Sequence, residues 1–388
     1  MTDSKNIEKL TAEAVELLRE MVAIPSPSFH EDAVCSHISN WLTAKGVEHE
    51  RVGNNIIAEH IVDPSKPTLM LCAHIDTVDP CEGYTFNPYK PENCPTDMIH
   101  GLGSNDDGAS AVSMIAAFRF FGHTIGSGAG VKNNPSHSFG AGPSPCGQGG
   151  STVFNTCTTP NITLVLTCEE ERSGKGGMTG LWGKRLNRID YAIVGEPTGM
   201  KAATSERGLL VIDATAHGVS GHAARNEGKN ALYIALEDIE RLRKHEFTKV
   251  SPKMGRVNLN VTQIYAGSAH NVIPDRCDFV MDIRPTEQYS NEEILQELQA
   301  ICESELKPRN LANRSSATKE DSPLQKTAER MGIETFSSAT TSDWMRITCD
   351  AIKMGPGEST RSHRKDEFVY IDEVRNAIEI YIEFIEKL

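Results

Sequence analysis

The sequence contains no apolar run approaching the ~20 residues that a membrane span needs, and only 6% of its 388 residues are aromatic. Basic residues are scarce, with 39 Lys and Arg against 53 Asp and Glu, giving a formal net charge of −14. Neutralising phosphates takes clustered Lys and Arg, so neither nucleic acid nor a membrane surface is expected as a partner. The ten cysteines are scattered, with no C-x-x-C pair among them. They read as reduced thiols and not as a disulfide framework. The opening MTDSKNIEKL lacks the basic start and apolar stretch of a secretory signal, so a cytoplasmic protein is expected.

What is present is a chain long enough for two domains. Residues 7–24 carry apolar side chains at helical spacing, and Pro25 and Pro27 end the pattern. A second helix is expected over 31–45 through Val34, Ile38, Trp41 and Leu42. NNIIAEH (54–60), PTLMLCAHID (67–76), NITLVLTC (161–168) and YAIVGEP (191–197) read as strands, with a helix at 109–121 between them. Continuous apolar strands alternating with helices indicate a mostly parallel α/β sheet buried on both faces. After about residue 206 the style changes. GLLVIDATAHG alternates with period two, a helix follows at 228–244, strands near 256–265 and 276–284, and a helix at 291–305. This β-α-β-β-α order, with a final short strand, suits a ferredoxin-like α+β module of about 100 residues.

The α/β style returns from about 315, with AIKMGPG (351–357) and a closing amphipathic helix at 372–388. The expected division is therefore 1–206 with 315–388 as one domain and 207–314 as a module inserted in it. Residues 122–160, rich in Gly, Ser, Asn, Thr and Pro, are expected to be a surface insertion. His123, His137, Cys146 and Cys157 within it are a weak metal signal, because their spacing is irregular.

The chemistry sits where strands end. In an open parallel sheet, ligands bind at the carboxyl ends of the strands. His74 and Asp76 end one strand, Glu169, Glu170 and Glu171 another, and Glu196 a third. Asp106 lies in the glycine-rich GLGSNDDGAS before a helix, and His363 in GPGESTRSHRKDE after a strand. Singly, each has a bland reading as a structural histidine or a solvated acid. Together, imidazoles and carboxylates without thiolate suit one or two zinc-like ions at a catalytic site.

At these residues the chain resembles the zinc aminoacylase/acetylornithine deacetylase metallopeptidase family. The matching segments are AHIDTVDP, GLGSNDDGAS, TCEEERSG, GEPTG, GVSGHAA, HNVIPD, FVMDIRP and the terminal GPG–SH–DE block, in the family's order over nearly the whole chain. The resemblance implies a catalytic α/β domain with an inserted dimerisation domain. It implies two zinc ions, with cobalt able to substitute: Asp106 shared between them, His74 and Glu196 completing one site, Glu171 and His363 the other. Asp76 would orient His74 from behind. Glu170 would be the general base, because aligning Thr167 makes Glu169 the replacement for the Asp that precedes the family's acidic pair. His222 would supply an oxyanion donor to the partner subunit's site. Arg284 and Asn271 would bind the substrate's α-carboxylate, and Gly355 and Gly357 would let the backbone approach it. GLGSNDDGAS departs from the family's more usual D-x-K-G, which leaves the role of that lysine without a carrier here.

The activity implied is removal of an N-acetyl or N-succinyl group from a small amino acid, of the acetylornithine deacetylase type in arginine biosynthesis, by a homodimer. Desuccinylase, dipeptidase and aminoacylase activities share the mechanism and stay open, as does deacylation of N-acetylcitrulline. A metal-binding relative without catalysis would need the ligands but not Glu170.

Overall fold

The computed structural model describes residues 4–92, 95–126, 159–225 and 227–388. Residues 127–158 of the expected insertion lie outside them, as do His137, Cys146, Cys157 and the side chain of His123. The chain divides into two compact units, Met1–Met200 with Met354–Leu388, and Lys201–Lys353.

In the first unit, helices Ser4–Val22, Ala109–Gly126 and Ile371–Lys387 pack on one another. Each forms because its apolar residues fall on one face: Leu10, Ala14, Leu17, Leu18 and Met21 in the first, Val374, Ala377, Ile378, Tyr381 and Ile385 in the last, all buried. The middle helix continues to Gly126, five residues past its expected end, over the start of the expected insertion. The strands run in the order Glu50–Val52, Asn55–His60, Asn161–Thr167, Thr68–His74, Tyr191–Val194. The last three pair in parallel and Asn55–His60 pairs antiparallel to Asn161–Thr167. Every residue of Thr68–His74 and Asn161–Thr167 is buried, as expected of largely apolar strands covered on both faces. The seven cysteines described carry free thiols, and no helix among the described residues is long and apolar enough to cross a membrane.

The second unit holds a four-stranded antiparallel sheet in the order Asn258–Ala266, Arg276–Arg284, Leu210–His217, Glu305–Pro308. Taken in chain order the strands lie 2-3-1-4, the arrangement of a ferredoxin-like module. Helix Ala231–Lys244 begins at Asn230, whose side chain accepts from Leu232 N–H, three residues later than periodicity alone predicts. Helix Asn291–Ile301 opens on a Ser290–Glu293 capping box and stops four residues early, because the chain then extends into the edge strand Glu305–Pro308. Leu210, Ile212, Phe279, Met281, Ile294 and Leu298 fill the space between sheet and helices.

The same unit buries an ion pair completely. Lys353 Nζ lies 3.2 Å from Glu206 Oε2, with side-chain exposures of 1% and 0%. Ser342 donates to Glu206 Oε2 (2.7 Å) and Lys353 to Thr340 O (3.0 Å). Burial pushes the Glu206 carboxyl up more than Lys353 and the two serines around it pull it down. Such a pair contributes little net stability, yet losing one partner strands a charge. Lys353→Met is expected to cost about 3–5 kcal/mol in a urea titration, and adding Glu206→Met to recover most of it.

Candidate metal-dependent active site

Strand register builds the site. Thr68–His74 and Asn161–Thr167 pair from Thr68↔Asn161 to His74↔Thr167, and Ile75 N–H donates to Thr167 O (2.8 Å). On the other side Cys72 faces Val194, and Gly195 N–H donates to Cys72 O (2.6 Å). Three parallel strands thus end level, and the residues that leave them, His74, Glu169 to Glu171 and Glu196, emerge at one edge of the sheet.

There the acids and imidazoles converge. His74 Nε2 lies 3.2 Å from Asp106 Oδ1; His363 Nε2 lies 3.0 Å from Glu171 Oε1 and 3.7 Å from Asp106 Oδ2. One ligand atom each from His74, Asp106 and Glu171 falls within 4.8 Å of the others, and the same holds for His74, Glu170 and Glu196. His363 holds its place with a left-handed backbone (φ 56°), a conformation non-glycine residues adopt at a cost that functional sites accept.

Charge explains why the cluster suits a cation. Burial disfavours protonated His74, yet hydrogen bonds to Asp106 and Asp76 hold its proton well above the usual imidazole range. Glu171, with Asp106 and Glu367 adding to it, pushes His363 up to about 9. Burial would raise Asp106, but His74 and His363 more than offset it and keep it a carboxylate. The acids therefore draw positive charge inward, in the form of protons on two imidazoles. A divalent ion would satisfy the same oxygens and turn both rings into ligands, and donors of this kind without thiolate fit zinc-type ions.

Asp76 lies behind this cluster. Its main-chain carbonyl accepts from His74 Nδ1 (2.9 Å), while its carboxylate stands 3.5 Å from that nitrogen. The carboxylate instead accepts from Ser28 Oγ (2.6 Å), Glu170 N (3.0 Å) and Glu171 N (3.2 Å). One residue therefore aims the His74 ring through its backbone and fixes the turn that presents two glutamates through its side chain. Asp76→Ala removes the acceptor of three donors, the buried Ser28 hydroxyl and the half-buried N–H groups of Glu170 and Glu171, and is expected to weaken metal binding by about 10–100-fold in competition with a chromogenic chelator.

Glu169 turns away. In left-handed conformation (φ 59°), it donates its N–H to Glu31 Oε1 (3.1 Å) and accepts at Oε2 from Gly176 N (2.8 Å). A Cβ at Gly174 or Gly176 would collide with its carboxylate. Of the three successive glutamates, Glu170 and Glu171 face the cluster and Glu169 ties down the glycine loop.

Sequence reasoning missed two supports. Glu367 accepts from the N–H groups of Asn105 and Asp106 (2.9 Å each), and burial with the nearby Asp106 charge raises its carboxyl to about 8. Asn105 accepts from Glu358 N (3.0 Å) and donates to Glu358 O (3.2 Å) and Ser362 Oγ (3.3 Å). Together they fasten the loop carrying Asp106 to the one carrying His363. Glu367 was visible only as the last letter of the GPG–SH–DE block, and Asn105 only as the neighbour of Asp106.

Around Gly355 and Gly357, this chain itself occupies the space a side chain would need. A Cβ would meet Ser110 Oγ and the Glu196 backbone at Gly355, and the Asn105 amide at Gly357, which also has φ 79°. The remaining expected residues belong to the other unit. Strand Gly221–His222 pairs with Val272–Ile273 and Ala223 N–H donates to Asn271 O (3.0 Å), so His222 and Asn271 are exposed neighbours on one short two-stranded sheet. Arg284 is half-buried, and Asp282 occupies its fork at 2.8 and 3.1 Å.

A mostly parallel α/β sheet whose strand ends gather imidazoles and carboxylates, with a ferredoxin-like module inserted in the chain, defines a hydrolase of linear amides of the metallopeptidase class. Residues 204–310 match the peptidase dimerisation domain. The chain is 25% identical to succinyl-diaminopimelate desuccinylase of Wolbachia pipientis, over 96% of this chain and 92% of that one. It is 24% identical to acetylornithine deacetylase of Proteus mirabilis, over 96% of each. A dinuclear metal-binding peptidase of Bacillus subtilis shares the fold, with a TM-score of 0.70 at 14% identity over 98% of both chains. These likenesses agree with the sequence's resemblance to the zinc aminoacylase/acetylornithine deacetylase metallopeptidase family.

Proposed function

We propose that this protein removes an N-acyl group, acetyl or succinyl, from a small amino acid, acting as a cytoplasmic homodimer in amino-acid biosynthesis. The observation that carries the reading is the convergence of His74, Asp106, Glu171 and Glu196 with Glu170 in the same pocket. Asp106 would be shared by two zinc ions, His74 and Glu196 serving one and Glu171 and His363 the other, with cobalt able to replace zinc. When bound, such ions supply Lewis acidity towards an amide carbonyl and lower the pKa of water.

The protein's own groups would do the rest. Glu170 takes a proton from the attacking water and returns it to the leaving amine. Asp76 keeps His74 and both glutamates aimed. His222, exposed on its two-stranded sheet, donates to the developing oxyanion in the partner subunit's site. Asn271 and Arg284 hold the substrate's α-carboxylate, Arg284 through Nη1, which Asp282 does not engage, and Gly355 and Gly357 line the approach.

An acetylornithine deacetylase-like activity of the arginine pathway is the favoured assignment, resting on the sequence segments SGHAARNEGKNA, TSDWMR and STRSH. Desuccinylation is the second reading, favoured by the named activity of the Wolbachia relative. Turnover of acetylornithine, acetylcitrulline, succinylornithine, succinylcitrulline and succinyl-diaminopimelate by the zinc-loaded protein separates the two. Hydrolysis of an acetyl compound well above the succinyl ones supports the first, and the reverse order supports the second. Cleavage of dipeptides alone would overturn both.

A further inference from the structure

A second cavity lies at the other end of the first unit's sheet. Strand Asn55–His60 runs antiparallel to Asn161–Thr167, so His60 sits opposite Ile162, away from the end where His74 meets Thr167. Beside it a cavity of about 220 Å³ is lined by Lys45, Glu48, Glu59, His60, Arg119 and Gly122 among others. Ligand pockets for drug-sized molecules are larger, at about 300–1,000 Å³. This one has room for a molecule the size of a single amino acid.

Its polar groups are sorted by depth. Arg119 is 5% exposed, and its Nε–H is buried without an acceptor among the described residues. His60 Nε2 is likewise buried and unpartnered. Arg119 and Lys45 share the one carboxylate of Glu13, at 2.7 and 3.0 Å, and both lie over the Trp41 ring. Two cations against one anion leave positive charge in excess at the base, next to the unpartnered Arg119 donor. Glu48 and Glu59, by contrast, are exposed. Unsatisfied buried donors cost free energy that a bound acceptor recovers.

We propose that this cavity is a binding site for a free α-amino acid, whose carboxylate meets Arg119 and His60 and whose ammonium group meets Glu48 and Glu59. The charge layout selects a zwitterion over a simple anion, because an anion would leave the two outer carboxylates opposing it. The site is separate from the metal cluster, and it does not depend on which acyl compound the enzyme cleaves.

The test uses the full-length protein and calorimetric titration with glycine, L-leucine, L-glutamate and L-ornithine, alongside valerate, which lacks the ammonium group, and putrescine, which lacks the carboxylate. Gly122 lines the cavity and a Cβ there would meet nothing within 4 Å among the described residues, so Gly122→Leu adds bulk at the cavity wall without a clash at its Cβ. At least one of the four amino acids is expected to bind, with valerate and putrescine each weaker. Gly122→Leu is expected to weaken that binding by about tenfold or more, as is Arg119→Lys, which keeps the charge but removes the Nε–H from its place. Turnover of the Gly122→Leu protein without added amino acid should match wild type. Because the metal cluster is intact in both proteins, undiminished binding in the plugged variant would place the amino acid elsewhere and overturn the proposal. So would the absence of binding by all four amino acids, or valerate binding as tightly as the best of them.

Discussion

Glu170→Gln is expected to lower kcat by roughly 10²–10⁴-fold, the usual contribution of a positioned general base, while bound metal and KM stay close to wild type. Glutamine has the same shape as glutamate, and the turn that presents residue 170 is held through the backbone, where its N–H donates to Asp76 Oδ1 at 3.0 Å. The substitution therefore removes the ability to take a proton without moving the side chain's anchor. Metal analysis beside steady-state kinetics separates this outcome from simple loss of the ions. Wild-type turnover in the variant would refute the catalytic role of Glu170.

The second large effect is expected at Asp106. Its two oxygens face His74 at 3.2 Å and His363 at 3.7 Å, so neutralising it in Asp106→Asn removes the acid on which both halves of the cluster depend. Metal affinity should fall by more than the ~100-fold that bounds the loss of an orienting partner, and turnover should become undetectable at stoichiometric metal. The same geometry fixes a pH dependence. Without metal, His363 carries a proton up to about pH 9 because of Glu171, and a ligand must be deprotonated to bind. Metal uptake at neutral pH must therefore release protons, and affinity must fall as the pH drops below about 9. Titrating metal into apoprotein in buffers of different ionisation enthalpy reads that release directly. The direction is settled by the sign of the shift: a raised imidazole pKa makes the proton a competitor over a wider range.

Much of the fold was legible because the strands announce themselves. Thr68–His74 and Asn161–Thr167 are largely apolar runs that suit a doubly covered sheet, and Leu210–His217 alternates as a half-covered one must. Helix ends were less legible where a local partner decides them. Asn230 starts a helix late by capping it, and the strand Glu305–Pro308 ends another early by pairing with Leu210–His217. At the site, the residue types were visible at each strand end, but which of three successive glutamates faces inward was not a matter of periodicity. It depends on Asp76 collecting the N–H groups of Glu170 and Glu171, and on Gly174 and Gly176 making room for Glu169. Glu367 and Asn105 escaped notice for a similar reason. Their work is done on backbone N–H and C=O groups of other loops, and no spacing in the chain reveals that.

The proposed function requires that the imidazoles and carboxylates gathered at the strand ends hold the metal on which hydrolysis depends. Removing metal with a chelator and adding zinc back, with activity and bound zinc measured at each step, tests it most directly. The stripped protein is expected to show no turnover, with full recovery as the second ion per chain is bound. Turnover that persists in the stripped protein, or two ions still bound after both His74 and His363 are replaced by alanine, would contradict it.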